Sequence, residues 1–372
     1  MGVTMYWLVV AAVLLLGALM PQQGRKRKYY ILTMAILHAF ICGFRYQFMH
    51  GDLMKYNTTF HMIRQYGYFS DIVFNDWVNT GFLWLEKFIS DTTNGDFQML
   101  LIVIAIIVEV AVAVLVLKYS PRPWLSYLVW NCMGFYIFGF SGIKQALAMA
   151  LVMLASTGIL DKKPMKFLIL SLIAGFIHFP AFAFLPAYLI ANLRVKLSTI
   201  IGYVVAIIII YLFRDPIVLF VTDIYYEEGS IVLGNADTLG GRFFMVVVIL
   251  VMGIALKGFG DRKFEKLFNL LLVAAVFQMF SGFNHVFTRF ADYYFQFSIL
   301  YLPIMVSSET TDIQLCSTNT GAPLCFNDRS LSVISGCMAA FLLWYYQYTC
   351  LGQTISYEVD NILNFRFMWD VK

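Results

Sequence analysis

The chain has 372 residues, 60% of them hydrophobic and 13% charged, with a formal net charge of +4. An average soluble protein is about 25% charged, and a chain this apolar lacks the polar surface to cover itself in water. In lipid it needs none, because the hydrocarbon core is itself the solvent, so the composition excludes an ordinary soluble enzyme and predicts an all-α, polytopic membrane bundle.

The first apolar run, Met5–Met20, is followed by Arg25-Lys26-Arg27-Lys28. A secretory signal carries its charge before the apolar stretch, not after it, so this run reads as a retained first span with a cytoplasmic anchor. Further apolar segments follow at 29–44, 97–117, 124–140, 142–160, 165–177, 179–192, 199–213, 242–256, 266–283, 290–306 and 331–349, which makes about 11–12 spans, several of them short. Residues 165–192 form either one long span kinked at Pro180 or two short ones hinged there. Two long loops, 45–96 and 214–241, separate the segments. The first has a mixed apolar and polar pattern around Tyr66–Phe69, Val73–Trp77 and Phe82–Phe88, which predicts amphipathic helices on the membrane surface. The tail 350–372 ends in aromatic and basic residues and reads as an interfacial anchor. No repeat or Pro/Gly-rich linker divides the chain, so residues 1–372 are read as one domain.

Charge placement orients the spans. Arg25, Lys26, Arg27, Lys28, Lys118, Arg122, Lys162, Lys163, Lys166, Arg194, Lys196, Lys257, Arg262, Lys263, Lys266 and Arg329 fall in alternate short loops, as expected of the cytoplasmic side. Both termini then lie outside. Having 162–166 and 194–196 on one side favours two short helices over 165–192, with His178 near the outer surface. The loop holding Cys316 and Cys325 falls inside, where free thiols are expected, and a disulfide there would break the map.

No Walker loop, dinucleotide fingerprint, H-E-x-x-H or Cys/His zinc spacing is present, so neither a nucleotide nor a metal is implied, and no basic-aromatic patch suggests nucleic acid. What stands out is a set of ionisable residues at or just below the outer face: Arg45, Asp52, Arg64, Lys144, His178, Arg242 and Arg289. Charges at membrane depth are costly and usually line a functional cavity. Outer-face cations do not serve the positive-inside rule; they suit an anion, and phosphate matches arginine's fork of donors. Lys144 and Gln145 open a helix, where backbone N–H groups already favour phosphate. Each residue also has a plain structural alternative. Arg45 could snorkel from its span, His178 could be a packing residue, and Arg289 with Asp292 could be a local i,i+3 pair.

These residues carry a resemblance. Phe44-Arg45, Gly51-Asp52 and Tyr56, Gly81-Phe82 with Leu85, Ser141–Ala148, His178-Phe179-Pro180-Ala181, and Arg289 with Tyr293-Tyr294 occur in the order of the EpsG family. The chain thus resembles bacterial exopolysaccharide and capsule polymerases related to Wzy. It departs from the family pattern in having Lys144 for Arg, Asn79-Thr80 for Glu-Pro and Pro180 for Ser. The missing Glu removes one candidate acid or base. The resemblance implies a GT-C-like architecture in the bacterial cytoplasmic (inner) membrane with its active site facing outward. It implies transfer of a growing glycan from undecaprenyl pyrophosphate to a sugar hydroxyl of the next lipid-linked repeat unit. Arg45, Lys144, Arg242 and Arg289 are expected to hold the pyrophosphate, with Arg64, Tyr56 and Gln145 adding contacts to pyrophosphate or sugar. His178 or Asp52 would serve the acceptor. No cofactor or metal is expected, and the expected partners are the lipid-linked oligosaccharide, membrane lipids, and the flippase and chain-length regulator of the same pathway.

Two other classes compete. A GT-C-type glycosyltransferase using a polyprenyl-phosphate sugar would place an acid in the first outer loop, as Asp52 is, and many such enzymes need a divalent metal. A lipid-oligosaccharide flippase would show internal repeats and midplane charges, whereas here the charges sit at the outer rim.

Overall fold

The computed structural model describes residues 2–47, 51–67, 80–216, 239–282, 286–307, 328–351 and 366–369. These residues are helical throughout, with no strand of more than an isolated bridge between Arg45 and Phe367. The helices are α1 (Gly2–Leu19), α2 (Arg27–Gly43), α3 (Gly51–Ile63), α4 (Thr80–Thr92), α5 (Phe97–Tyr119), α6 (Pro123–Cys132), α7 (Phe135–Phe138), α8 (Ile143–Leu160) and α9 (Pro164–Ile177). A 3-10 segment, Phe179–Phe184, leads to α10 (Ala187–Asn192). There follow α11 (Leu197–Leu212), α12 (Gly241–Leu256), α13 (Arg262–Met279), α14 (Val286–Phe295), α15 (Ser298–Met305) and α16 (Asp328–Tyr345). Among the described residues α5 and α8 are long and apolar enough to cross a membrane, while residues 4–19, 164–177, 179–192, 198–212 and 241–256 form shorter apolar helices. Their outward faces stay apolar: Leu168, Ile169, Leu172 and Phe176 on α9, and Ile201, Val205, Ile208 and Leu212 on α11, are exposed. A soluble fold covers such patches; a bundle in lipid leaves them bare.

The helices pack as a layered bundle, α2 on α5, α5 on α8 and α8 on α9, with α13 bridging α12 and α14. The two ends of this bundle differ. At one end basic side chains bind backbone carbonyls where helices stop. Arg27 donates to Leu117 O (2.7 Å) and Ser120 O (3.2 Å), Lys266 to Ile159 O, Arg262 to Asn192 O (3.0 Å) and Lys257 to Ser307 O (2.9 Å). Lys118 pairs with Asp161 in the turn after α8. Cations satisfy the orphan carbonyls of helix C-termini and complement the dipole there. Residues that the charge map assigned to the cytoplasmic side therefore do meet at one end. At the opposite end the Gln98 amide binds Gly43 O (2.6 Å) and Arg45 O (3.1 Å). There Tyr46 N and Phe44 O pair with Arg366 O and Met368 N (2.8 and 3.0 Å), so the aromatic tail docks beside α2.

The ambiguous segment 165–192 turns back on itself. Phe167, near the start of α9, meets Phe184 and Tyr188 (ring centroids 5.8 and 5.4 Å), while Phe176, near its end, meets Phe182 (5.8 Å). The two limbs are antiparallel, and His178 lies extended at the reversal (φ −146°, ψ 109°).

Three expected spans are not continuous helices. Residues 124–140 break at Gly134, whose φ of +86° is cheap only for glycine. Residues 179–192 divide into the 3-10 segment and α10 because Pro180 and Pro186 remove backbone donors. Residues 290–306 part at Gln296-Phe297, where the Gln296 amide takes the Tyr293 carbonyl (3.0 Å), a side-chain competitor for helix hydrogen bonding. Of the helices expected in loop 45–96, the one around Phe82–Phe88 is present as α4, and α3 is a helix of that loop that the pattern did not single out; residues 68–79 lie outside the described residues, as do most of loop 214–241, Cys316, Cys325 and most of the tail 350–372.

The reversal at His178 makes a labelling prediction. In a background lacking the native cysteines, cysteines at 162 and 194 should react with a membrane-impermeant thiol reagent from one side of the membrane, and one at 94 from the other. Labelling of 162 and 194 from opposite sides would mean that 165–192 crosses only once.

Candidate functional site

The end of the bundle opposite the cation-capped turns gathers most of the ionisable residues singled out in the sequence. Lys144 stands in the first turn of α8. That helix starts from Gly142, with no side chain capping it, whereas Asp96 caps α5 through Gln98 N (2.9 Å) and Asp261 caps α13 through Lys263 N (2.8 Å). The first-turn donors of α8 thus keep the positive potential of a helix N-terminus, and Lys144 adds a full charge to it.

His178 is 4% exposed, and its Nδ1 lies 2.6 Å from the hydroxyl of Tyr293 on α14. The next tyrosine, Tyr294, donates to Ala183 O (2.5 Å), so the Tyr293-Tyr294 pair fastens α14 along the segment after the reversal. Burial, and then the positive charges of Lys144 and Arg289, push the His178 imidazole well below its ordinary pKa and keep it neutral at physiological pH. α8, the segment after the reversal and α14 pack on one another, and the charges of Lys144 and Arg289 both act on His178 there. One turn further along α14, Asp292 accepts from Arg242 (2.8 Å), whose guanidinium also lies over the Phe295 ring (5.4 Å). Asp292 thus binds across to α12, beyond the local i,i+3 reach to Arg289.

One member of this cluster was not singled out in the sequence. Glu86 of α4 is fully buried, and neither carboxylate oxygen has a hydrogen-bond partner among the described residues. Burial raises its pKa to about 8 and the nearby Lys144 charge opposes that rise. It reaches this place because α4 enters the bundle at Gly81, where a Cβ would sit 2.9 Å from Phe176 O and 3.0 Å from Phe176 C. Only glycine permits that approach, two residues before His178. The signal lies in the helical spacing: Phe82, Glu86 and Ile89 are separated by four and three residues and share the buried face.

The remaining candidates lie apart. Arg45 is 1% exposed; its guanidinium donates to Cys42 O and to Gly139 O (3.4 Å) and lies over Phe140. It lines a narrow pocket with Glu109, Trp130 and Tyr136, with room for about one water. Glu109 Oε1 accepts from Trp130 Nε1 there (3.1 Å), which gives this intramembrane acid a partner. Gln145 turns inward, its amide 4.0 Å from Met149 Sδ. Arg64 holds the turn between α4 and α5 through Asn94 O (2.9 Å). Asp52 is half exposed and pairs with Lys55 (3.7 Å). Tyr56 packs edge-on against Phe82 (5.7 Å) and so supports α4. Among the described residues no three His, Cys, Asp or Glu converge as metal ligands.

The Arg242–Asp292 pair is open to a double-mutant cycle. Arg242→Ala and Asp292→Asn should each destabilise the detergent-solubilised protein, with a coupling of about 1–2 kcal/mol in thermal or denaturant unfolding. Additive effects would mean that the pair holds nothing together.

No curated protein and no solved structure matches the chain. The model of the EpsG family matches residues 28–314, well over half of its length. With bare apolar helices around a polar cluster at one end, and with this match, the protein is a membrane protein and belongs to the EpsG family.

Proposed function

We propose that the chain is a polysaccharide polymerase of the bacterial cytoplasmic membrane. It transfers a growing glycan from undecaprenyl pyrophosphate to a sugar hydroxyl of the next lipid-linked repeat unit, at the outer leaflet. Family membership supports a polymerase-type glycosyltransferase. The observation that carries the reading is the convergence of Lys144, Arg289 and the neutral His178 beside an uncapped helix N-terminus.

In this reading the donor's pyrophosphate lies against Lys144, Arg289 and the first-turn N–H groups of α8, with Arg242 contributing from across Asp292. Negative charge builds on the pyrophosphate as the anomeric C–O bond breaks, so cations fixed beforehand stabilise the transition state more than the ground state. His178, kept neutral and oriented by Tyr293, is suited to hold the acceptor hydroxyl rather than to add another charge. Asp52 and Tyr56 on α3 would contact sugar nearer the rim. Arg45, Gln145 and Arg64 would act from the surrounding scaffold. The sugar-phosphate glycosyltransferase and flippase readings lack a comparable supporting observation, since the charges cluster at one end and not at mid-bundle.

Reconstituted protein given a lipid pyrophosphate-linked repeat unit should yield a ladder of chain lengths. Lys144→Ala or Arg289→Ala should lower the rate by about 100-fold or more, and His178→Ala by a similar factor. A ladder that persists unchanged in all three variants would contradict the site. Acceptance of a polyprenyl-phosphate monosaccharide, with activity abolished by EDTA, would favour the sugar-phosphate transferase.

A further inference from the structure

A carboxylic acid buried without a hydrogen bond is costly, and folds rarely retain one without a use. Glu86 is such a group: it is fully buried, both oxygens lack partners among the described residues, and Lys144 is the charge that acts on it. Its neighbours are otherwise engaged. Lys87 on the same helix is paired with Asp91 (2.9 Å), and Ser90 donates to Phe60 O (3.3 Å). From α3, Tyr56 packs on Phe82, and Asp52 pairs with Lys55 on the more exposed side of that helix. From the reversal, His178 is bound to Tyr293, and the charges of Lys144 and Arg289 act on it. The fold thus spends a close backbone contact at Gly81 to seat an unneutralised acid next to the cation of the site.

We infer that Glu86 is the catalytic base, the group that takes the proton from the acceptor hydroxyl; this rests on the polymerase reading above. The acceptor oxygen forms the new bond to the anomeric carbon of the donor chain. The bond from that carbon to the pyrophosphate oxygen breaks, and its electron pair leaves on the pyrophosphate, held by Lys144 and Arg289. The hydroxyl proton passes to the Glu86 carboxylate and is released to solvent when the product departs. Loading of the donor makes the base stronger. Once the pyrophosphate engages Lys144, the charge that favours the ionised form of Glu86 is offset, and its proton affinity rises. Such a base works best with a pKa near the working pH, and burial sets Glu86 at about 8.

The base acts ionised, and the loaded donor raises its proton affinity further, so the rate should climb with pH through about 8 and level only above it. Chain extension measured from pH 6 to 9.5 on Glu86→Gln should fall by about 100-fold or more and lose the acidic limb. Binding of undecaprenyl pyrophosphate should stay within about twofold, because its cations are untouched. Glu86→Asp, which keeps the acid and withdraws it by one methylene, should keep the limb at a reduced rate. Glu86→Asp serves the test if Glu86→Gln does not fold. Glu86→Gln that extends chains with the wild-type acidic limb, or Glu86→Asp that lacks the limb, overturns the inference alone. Wild-type protein that makes no ladder overturns the polymerase reading and this inference with it.

Discussion

Between Ile177 and Phe179 the chain cannot go on as an α-helix. Pro180 has no N–H to continue the helical ladder back to the Phe176 carbonyl, and two residues before it His178 is extended. The limb that follows folds back along α9, with Phe182 against Phe176 and Tyr188 against Phe167. This reversal determines the rest of the site. It carries His178 to the end of the bundle where α8 begins, presents it to Tyr293, and leaves the end of α9 open for the close approach of Gly81.

Electrostatics then gives that end its character. At the other end Arg27, Lys118, Lys257, Arg262 and Lys266 bind carbonyls or carboxylates, so their charge goes to helix termini and to orientation in the membrane. At the His178 end Arg242 is matched by Asp292, while Lys144 and Arg289 act on the buried His178, and Lys144 on Glu86. A histidine held neutral beside two cations is an arrangement that an incoming anion would relieve. Two such cations suit a polyanion, the proposed pyrophosphate, better than a neutral sugar or a cation.

Much of this was legible in the sequence. Lys144, His178, Arg242 and Arg289 stand out because a charge in an apolar run has few uses, and the alternation of basic loops predicted which residues share an end. The side-chain directions were not legible. Arg45 ends an apolar segment just as Arg289 begins one, yet its guanidinium faces inward onto Cys42 and Gly139. Asp292 looked like the local partner of Arg289 and is bound by Arg242, fifty residues away in the chain. Glu86 was not singled out, because its burial follows only from the phase that α4 shares with Phe82 and Ile89. The break at Gln296 carries no Gly or Pro and follows from a side-chain hydrogen bond that needs the folded neighbours.

The central claim is that the uncapped start of α8, Lys144 and Arg289 form the seat of a lipid pyrophosphate. A structure of the protein in lipid nanodiscs with undecaprenyl pyrophosphate tests it most directly. The account predicts phosphate density within hydrogen-bond distance of Lys144 Nζ and Arg289, beside His178 and Glu86. Density at the cation-capped end near Lys118 and Lys266, or none near α8 at saturating lipid, would contradict it.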